Sequence, residues 1–298
     1  MIRTEQLRKV YRVGKEKVVA LANIDLEIEQ GEICCIVGQS GSGKSTLLNM
    51  LAGLEKPTRG LVAINGKKVS AMDENQLAVF RQENLGFIFQ SYNLLAQLTA
   101  AENVALPLMF TGMSRRKRMK RAVYELKQMG LGKRAGHKPT EMSGGQQQRV
   151  GIARAFVGKP QVIFADEPTG NLDTHTTRQV LRTMLERAES HNITFVMVTH
   201  ERELSSCGDR IITLQDGHVI SNEKLDEATK KANRDALFAD LDEKTLMAEE
   251  AEQAEHAEQA QQARFAEKVM HNVIQADLPD TQNPGGNTTG EAGTGQNP

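Results

Sequence analysis

The chain has no tryptophan, and aromatic residues make up only 4% of its 298 positions. Its core must therefore be aliphatic, built from Leu, Ile, Val and Ala. Cysteine is scarce: Cys34 and Cys35 are neighbours and Cys207 stands alone. That set makes no zinc spacing, no CxxC redox pair and no disulfide framework, and a reducing compartment fits it best. Long apolar runs are missing as well. The stretch Ile193 to Val198 is among the longest, far short of the roughly 20 residues a membrane helix needs. The opening residues MIRTEQLRKV have no apolar leader region, so the chain is expected not to cross a membrane itself.

Net charge is nearly absent too, at −1, but it conceals an asymmetry. Residues 1–221 carry 30 Lys and Arg against 22 Asp and Glu, an excess of +8, while residues 222–298 carry 7 against 16, an excess of −9. Two parts with different histories or different partners are expected.

Up to residue 221, short β-rich runs alternate with helical stretches, the pattern of a parallel α/β sheet. Ile24, Leu26 and Ile28 alternate as in a half-buried strand. Ile33 to Val37, Leu85 to Phe89, Val162 to Ala165 and Ile193 to Val198 are continuous apolar runs, as expected of strands covered on both faces. Ser45 to Leu54, Arg115 to Met129, Gln146 to Val157 and Thr176 to Glu189 read as helices, and Asp216-Gly217 marks a hairpin. Beyond residue 221 the chain turns to Ala, Glu, Gln and Lys, so residues 222–278 are expected to be helical. Ala recurs there at every third position from Ala248 to Ala266, which drifts round a helix and gives no coiled-coil seam. Residues 279–298 are polar and Gly-rich, the composition of a disordered tail.

The chemistry begins at Gly38-Gln-Ser40-Gly41-Ser-Gly43-Lys44-Ser45, which follows a buried strand and opens a helix. In that setting the loop's N–H groups and the helix dipole hold phosphate, Lys44 reaches the β- and γ-phosphates, and Ser45 offers a hydroxyl to Mg²⁺. A second apolar strand ends in Asp166-Glu167. Asp166 suits the metal shell, and Glu167, one step on, is placed to orient or deprotonate the attacking water. Between these elements lies Ser143-Gly144-Gly145-Gln146, a helix start that makes another anion site from backbone amides and a hydroxyl.

Together these motifs resemble the nucleotide-binding subunits of ABC transporters, over residues 1–221. The resemblance implies a P-loop NTPase fold: a RecA-like core, a helical subdomain near residues 91–158, a small antiparallel β part and here a C-terminal helical extension. It implies ATP and Mg²⁺ as ligands, with Gly38, Ser40, Gly41, Gly43, Lys44, Ser45 and Thr46 around the phosphates. Ser143, Gly144, Gly145 and Gln146 would cap the γ-phosphate held by a second subunit, so a head-to-tail homodimer is implied. Tyr11 resembles the aromatic on which adenine stacks. Gln90 is similar to the glutamine that joins the metal and water site to a transmembrane partner, with Ser45 and Asp166 as the other metal ligands. Asp173, in Asn171-Leu-Asp173, matches the loop that crosses the dimer interface, and His200 matches the histidine that contacts the γ-phosphate. Every motif position is present, so an active ATPase with Glu167, His200 and Gln90 at the reaction is expected.

The stretches Gly86 to Pro107 and Glu167 to Asp173 look most like the ATPases of macrolide-export and lipoprotein-release systems, the MacB and LolD type, whose relatives include the cell-division ATPase FtsE. That implies a separate permease with four transmembrane helices, membrane contact through it, and a peripheral place at the cytoplasmic face of the inner membrane. The alternative in the same group is an FtsE-like ATPase that signals through a permease-like partner to cell-wall enzymes without moving a solute. A soluble ribosome- or chromosome-type ABC protein does not fit one cassette in which Ser143 follows Ser45 by only 98 positions. No nucleic-acid partner is expected, since the basic run Arg115 to Arg121 lacks interleaved aromatics. In the acidic extension Phe265, Val269 and Val273, with Met270 and Ile274, form an apolar stripe, for which docking on protein is the expectation.

Overall fold

The computed structural model describes residues 2–241. The Ala repeat, the stripe from Phe265 to Ile274 and the Gly-rich tail lie outside the described residues. The strands are β1 (Ile2–Val13), β2 (Glu16–Ile28), β3 (Ile33–Val37), β4 (Arg59–Ile64), β5 (Lys67–Lys68), β6 (Leu85–Phe89), β7 (Val162–Asp166), β8 (Thr194–Thr199), β9 (Arg210–Gln215) and β10 (His218–Lys224). The helices are α1 (Lys44–Leu51), α2 (Glu74–Asn84), α3 (Ala100–Met109), α4 (Arg115–Gln128), α5 (Gly144–Phe156), α6 (Thr174–Ser190), α7 (Arg202–Ser205) and a last helix, α8, over residues 227–241.

Six strands form the central sheet in the order β10-β9-β3-β8-β7-β6, all parallel except β10, which returns antiparallel to β9 through Asp216-Gly217. Both turn residues have left-handed φ, 48° and 76°, as a tight primed turn requires. Alternate side chains of the buried strands feed two separate cores. Cys35, Ile163, Ala165, Phe195 and Met197 face the helices α3 to α6. Cys34, Ile36, Val162, Phe164, Val196 and Val198 face α1 and the second sheet. This is why these strands read as unbroken apolar runs.

The second sheet, β2-β1-β4-β5, is antiparallel. In β2 the expected alternation holds: Ile24, Leu26 and Ile28 are buried while Asp25 and Glu27 are exposed. Helices α3, α4 and α5 pack on one another and make the helical layer. Two helices absent from the sequence reading carry clear start signals. Asp73 and Gln76 form a capping box on α2, and Thr99 and Glu102 form one on α3.

The boundary expected at residue 221 is corrected. Ser221 lies inside β10, so residues 222–224 are strand rather than helix, and the compact unit runs on through α8. Composition does change at residue 222, but α8 still seats Leu237, Phe238 and Leu241 in the helical-side core. Ion pairs fix it along its length: Lys230 with Asp209 at 2.6 Å, Arg234 with Glu189 at 2.7 Å, and Asp240 with Arg178 at 3.0 Å.

Candidate active site

Strand β3 ends at Val37 and α1 begins at Lys44, so residues 38–43 must turn within six positions. Gly38 is required because a Cβ there would collide with the Leu214 carbonyl. Gly43, at φ 103°, would bring a Cβ to 2.6 Å from the Ala20 carbonyl. With Gly43 as its cap, α1 has no side chain to satisfy its first-turn N–H groups, which leaves them available to an anion. The Lys44 ammonium folds back over the loop and donates to the carbonyls of Gly38 and Gln39, each at 2.9 Å. Ser40, Gly41, Gly43, Lys44, Ser45 and Thr46 line a cleft of about 690 Å³, whose far wall includes Glu167 and His200. That volume lies in the range of small-ligand sites.

The strand register brings the carboxylates there. Asp166 pairs with Val198, and Val37 with Thr199, so β3, β7 and β8 end together at the mouth of the loop. The Ser45 hydroxyl donates to Asp166 Oδ1 at 3.2 Å across 121 residues of chain. Burial, reinforced by the neighbouring Glu167 charge, raises the Asp166 pKa against the opposing effects of Ser45 and Lys44. A hydroxyl and a carboxylate meeting beside a phosphate-holding loop are the hard-oxygen donors that Mg²⁺ takes when nucleotide phosphates complete its shell. Glu167 adopts the left-handed region at φ 43°, held by its N–H to the Val198 carbonyl at 3.0 Å. A non-glycine residue there costs about 1–3 kcal/mol, a strain that concentrates at active sites. Its Oε1 lies 3.4 Å from His200 Nδ1.

Other expected site residues stand outside this cleft. Phe89 pairs with Asp166, so Gln90 leaves the sheet beside the carboxylates. Its amide rests against Gly170, where a Cβ would come within 2.7 Å, and its carbonyl accepts from Asn171 Nδ2 at 3.0 Å. The Tyr11 hydroxyl donates to Glu55 Oε2 at 2.7 Å, while Lys9 Nζ, itself 2.7 Å from Glu55 Oε1, lies 5.1 Å from the ring centre. Burial and the Glu55 carboxylate raise the phenol's pKa, against an opposing effect of the Thr46 hydroxyl.

Ser143 caps α5. Its hydroxyl accepts from the Gln146 N–H at 3.4 Å and its own N–H donates to Gln146 Oε1 at 3.2 Å. Ser143 is exposed, and residues 143–146 are not part of the cleft that holds Lys44. Gly145 instead approaches α6, where a Cβ would reach 2.6 Å from Thr176 Cγ2. Asp173 caps α6 by accepting from the Thr176 N–H at 3.0 Å, and these hydrogen bonds lower its pKa. The Ser143 helix start and the Asp173 loop therefore share one face.

Some of the cleft was not legible in the sequence. Val18, Val19 and Ala20 of β2 form one wall, and nothing in their local pattern marks them. Asp216-Gly217 reads only as a turn, yet it also lines the cleft, and the Gly217 N–H donates to the Ser42 carbonyl at 3.0 Å. A second, apolar groove of about 500 Å³ runs between the sheet and the helical layer, lined by Leu54, Phe87, Phe89, Pro107, Phe110 and Arg154 among others.

A family profile described as ABC transporter matches residues 21–170. The chain is 49% identical over 220 residues to an uncharacterized ABC transporter ATP-binding protein, MJ1508 of Methanocaldococcus jannaschii, covering 74% of this chain and 98% of that one. It is 45% identical over 222 residues to the macrolide export ATP-binding/permease protein MacB of a Shewanella strain, covering 74% of this chain but spanning only 34% of MacB. The dimeric ATP-binding cassette MJ0796, solved with ADP and Pi in a post-hydrolysis state, aligns with a TM-score of 0.72 at 44% identity, covering 76% of this chain and 99% of that one.

Proposed function

The chain belongs to the ABC transporter family of ATP-binding proteins, and on that premise we propose that it is the separate ATPase subunit of a MacB/LolD-type system. In this reading it pairs head to tail with a second copy, hydrolyses ATP at the shared interface and drives a transmembrane permease. The observation that carries it is the convergence of Ser45, Asp166, Glu167 and His200 at the end of the central sheet, over an uncapped helix start.

Each residue's part follows from its place. The first turn of α1 and the loop from Gly38 hold the phosphates, and Lys44 moves from the carbonyls of Gly38 and Gln39 to the β- and γ-phosphate oxygens. Ser45 and Asp166, joined by Gln90, would hold Mg²⁺, which neutralises phosphate charge when bound. Glu167 takes the proton of the attacking water at its carboxylate, and His200 holds that carboxylate and meets the γ-phosphate. Tyr11 and the wall from Val18 to Ala20 receive the adenine. Ser143, exposed, and Gly144 to Gln146, half-buried, lie outside their own chain's cleft and serve the nucleotide of the second copy, with Asp173 crossing beside them.

The permease occupies the apolar groove, where Phe110 is 76% exposed. MacB carries both activities in one chain by its printed name, and this chain spans 34% of it. Among the described residues no helix is long and apolar enough to cross a membrane. The family supports a peripheral attachment, at the cytoplasmic face of the inner membrane. Co-purification with the product of an adjacent permease gene, followed by ATPase assay in vesicles, tests the assignment. Failure of the two to associate, with no stimulation of hydrolysis, would overturn it.

A further inference from the structure

Arg154 lies in the third turn of α5, the helix headed by Ser143. Its two terminal nitrogens donate to consecutive carbonyls, Nη2 to Tyr92 at 2.8 Å and Nη1 to Asn93 at 2.6 Å. Both residues are non-glycine and left-handed, at φ 60° and 48°. Two such positions in succession are costly, and a forked pair of charge-assisted bonds supplies a reason for the turn to persist.

The turn returns Tyr92 to the other end of the same helix. A Cβ on Gly144 would lie 2.9 Å from the Tyr92 hydroxyl and 3.8 Å from its ring. The segment after Gln90 is thus bolted to α5 at two heights, by Arg154 below and by Tyr92 at its head. Arg154 also lines the apolar groove together with Phe89 and Pro107. An object seated in the groove touches this bolt directly.

We propose that Arg154 and Tyr92 are positioning residues that carry groove occupancy to Ser143, and so to the nucleotide held by the second copy rather than by their own chain. This inference rests on the trans role given above to Ser143. It names a route separate from Gln90, which leaves the sheet beside its own Asp166. Gly144 belongs to the route because a Cβ there would crowd the Tyr92 hydroxyl, which would have to shift.

Mixed dimers of full-length chains test it. One subunit carries Lys44→Ala, leaving a single nucleotide site made from the other subunit's loop and the Lys44→Ala subunit's Ser143. Both subunits carry Glu167→Gln so that bound ATP is trapped, and trapped ATP per dimer is measured. Tyr92→Ala placed in the Lys44→Ala subunit lowers trapping about tenfold, a coupling of ordinary allosteric size, whereas in the ATP-holding subunit it changes little. Arg154→Lys, which keeps the charge but not the fork, follows the same pattern.

A bulky maleimide on Phe110→Cys serves as the groove probe, since the native Cys34, Cys35 and Cys207 are all buried. Its effect on trapping appears only through the labelled subunit's Ser143, and Tyr92→Ala abolishes it. Equal losses from either subunit, or losses confined to the ATP-holding one, overturn the inference. Trapping by the control dimer that ignores Tyr92 and Arg154 overturns it alone. A control dimer that traps nothing overturns the trans reading of Ser143, and the inference with it. Unchanged ATP affinity of the Tyr92→Ala monomer separates positioning from misfolding.

Discussion

His200 Nδ1 stands 3.4 Å from Glu167 Oε1, although the two residues follow different strands, β8 and β7. His200 is 57% exposed and Glu167 26%, so the pair sits at the open edge of the cleft they line. A contact slightly too long for a firm hydrogen bond is what a catalytic pair shows before substrate tightens it.

Glu167→Gln keeps the shape and removes the base. Turnover falls about 10²- to 10⁴-fold, while ATP binding persists and closed dimers accumulate on gel filtration. Unchanged turnover would remove Glu167 from the chemistry.

Lys44→Ala removes the ammonium that bridges the Gly38 and Gln39 carbonyls and meets the phosphates. Calorimetric titration is expected to detect no ATP binding, and wild-type affinity would refute the role.

Asp166 should cost stability before nucleotide arrives. Its pKa is raised by burial and by Glu167, so the folded state prefers the protonated form. Stability from this group is present at low pH and lost as pH rises through the raised folded value. Asp166→Asn, which stays neutral, should therefore melt higher than the parent at neutral pH without nucleotide. The gap should shrink toward the ordinary carboxylate range, and a gap that widens on acidification contradicts the account.

Ser143→Arg should spare ATP binding by the monomer and prevent pairing. Combined with Glu167→Gln it should elute as a monomer with ATP. A closed dimer of that double variant would refute the trans assignment.

Helix α8 belongs to the folded unit, since Leu237, Phe238 and Leu241 are buried. Phe238→Ala should lower stability by about 3 kcal/mol. A chain ending at residue 242 should bind ATP and melt as the full chain does, whereas one ending at 222 should melt lower or aggregate. Equal melting of the two truncations would show α8 to be dispensable.

The buried parallel strands were legible because covering both faces makes them continuously apolar, and Ile33 to Val37 or Val162 to Ala165 can be read without a partner in view. The phosphate loop was legible because its glycine spacing sits directly between an apolar strand and a helix start, although the carbonyls that exclude a Cβ at Gly38 and Gly43 belong to the distant Leu214 and Ala20. β1 was not: its pairing with β2 shifts register after Thr4, Leu7 and Lys9, and each shift breaks the two-residue period. Nor does local composition say whether an Ala- and Glu-rich helix finds a core. Residues 227–241 share their helix-forming character with the residues that follow, and only the fold offers Leu237 and Phe238 a surface. The same holds for the site. Gln90, Ser143 and Glu167 were each recognisable as chemistry, but convergence is a long-range property of the sheet register. It joins Ser45 to Asp166 across 121 residues, leaves Ser143 outside its own chain's cleft, and brings Tyr92 against Gly144.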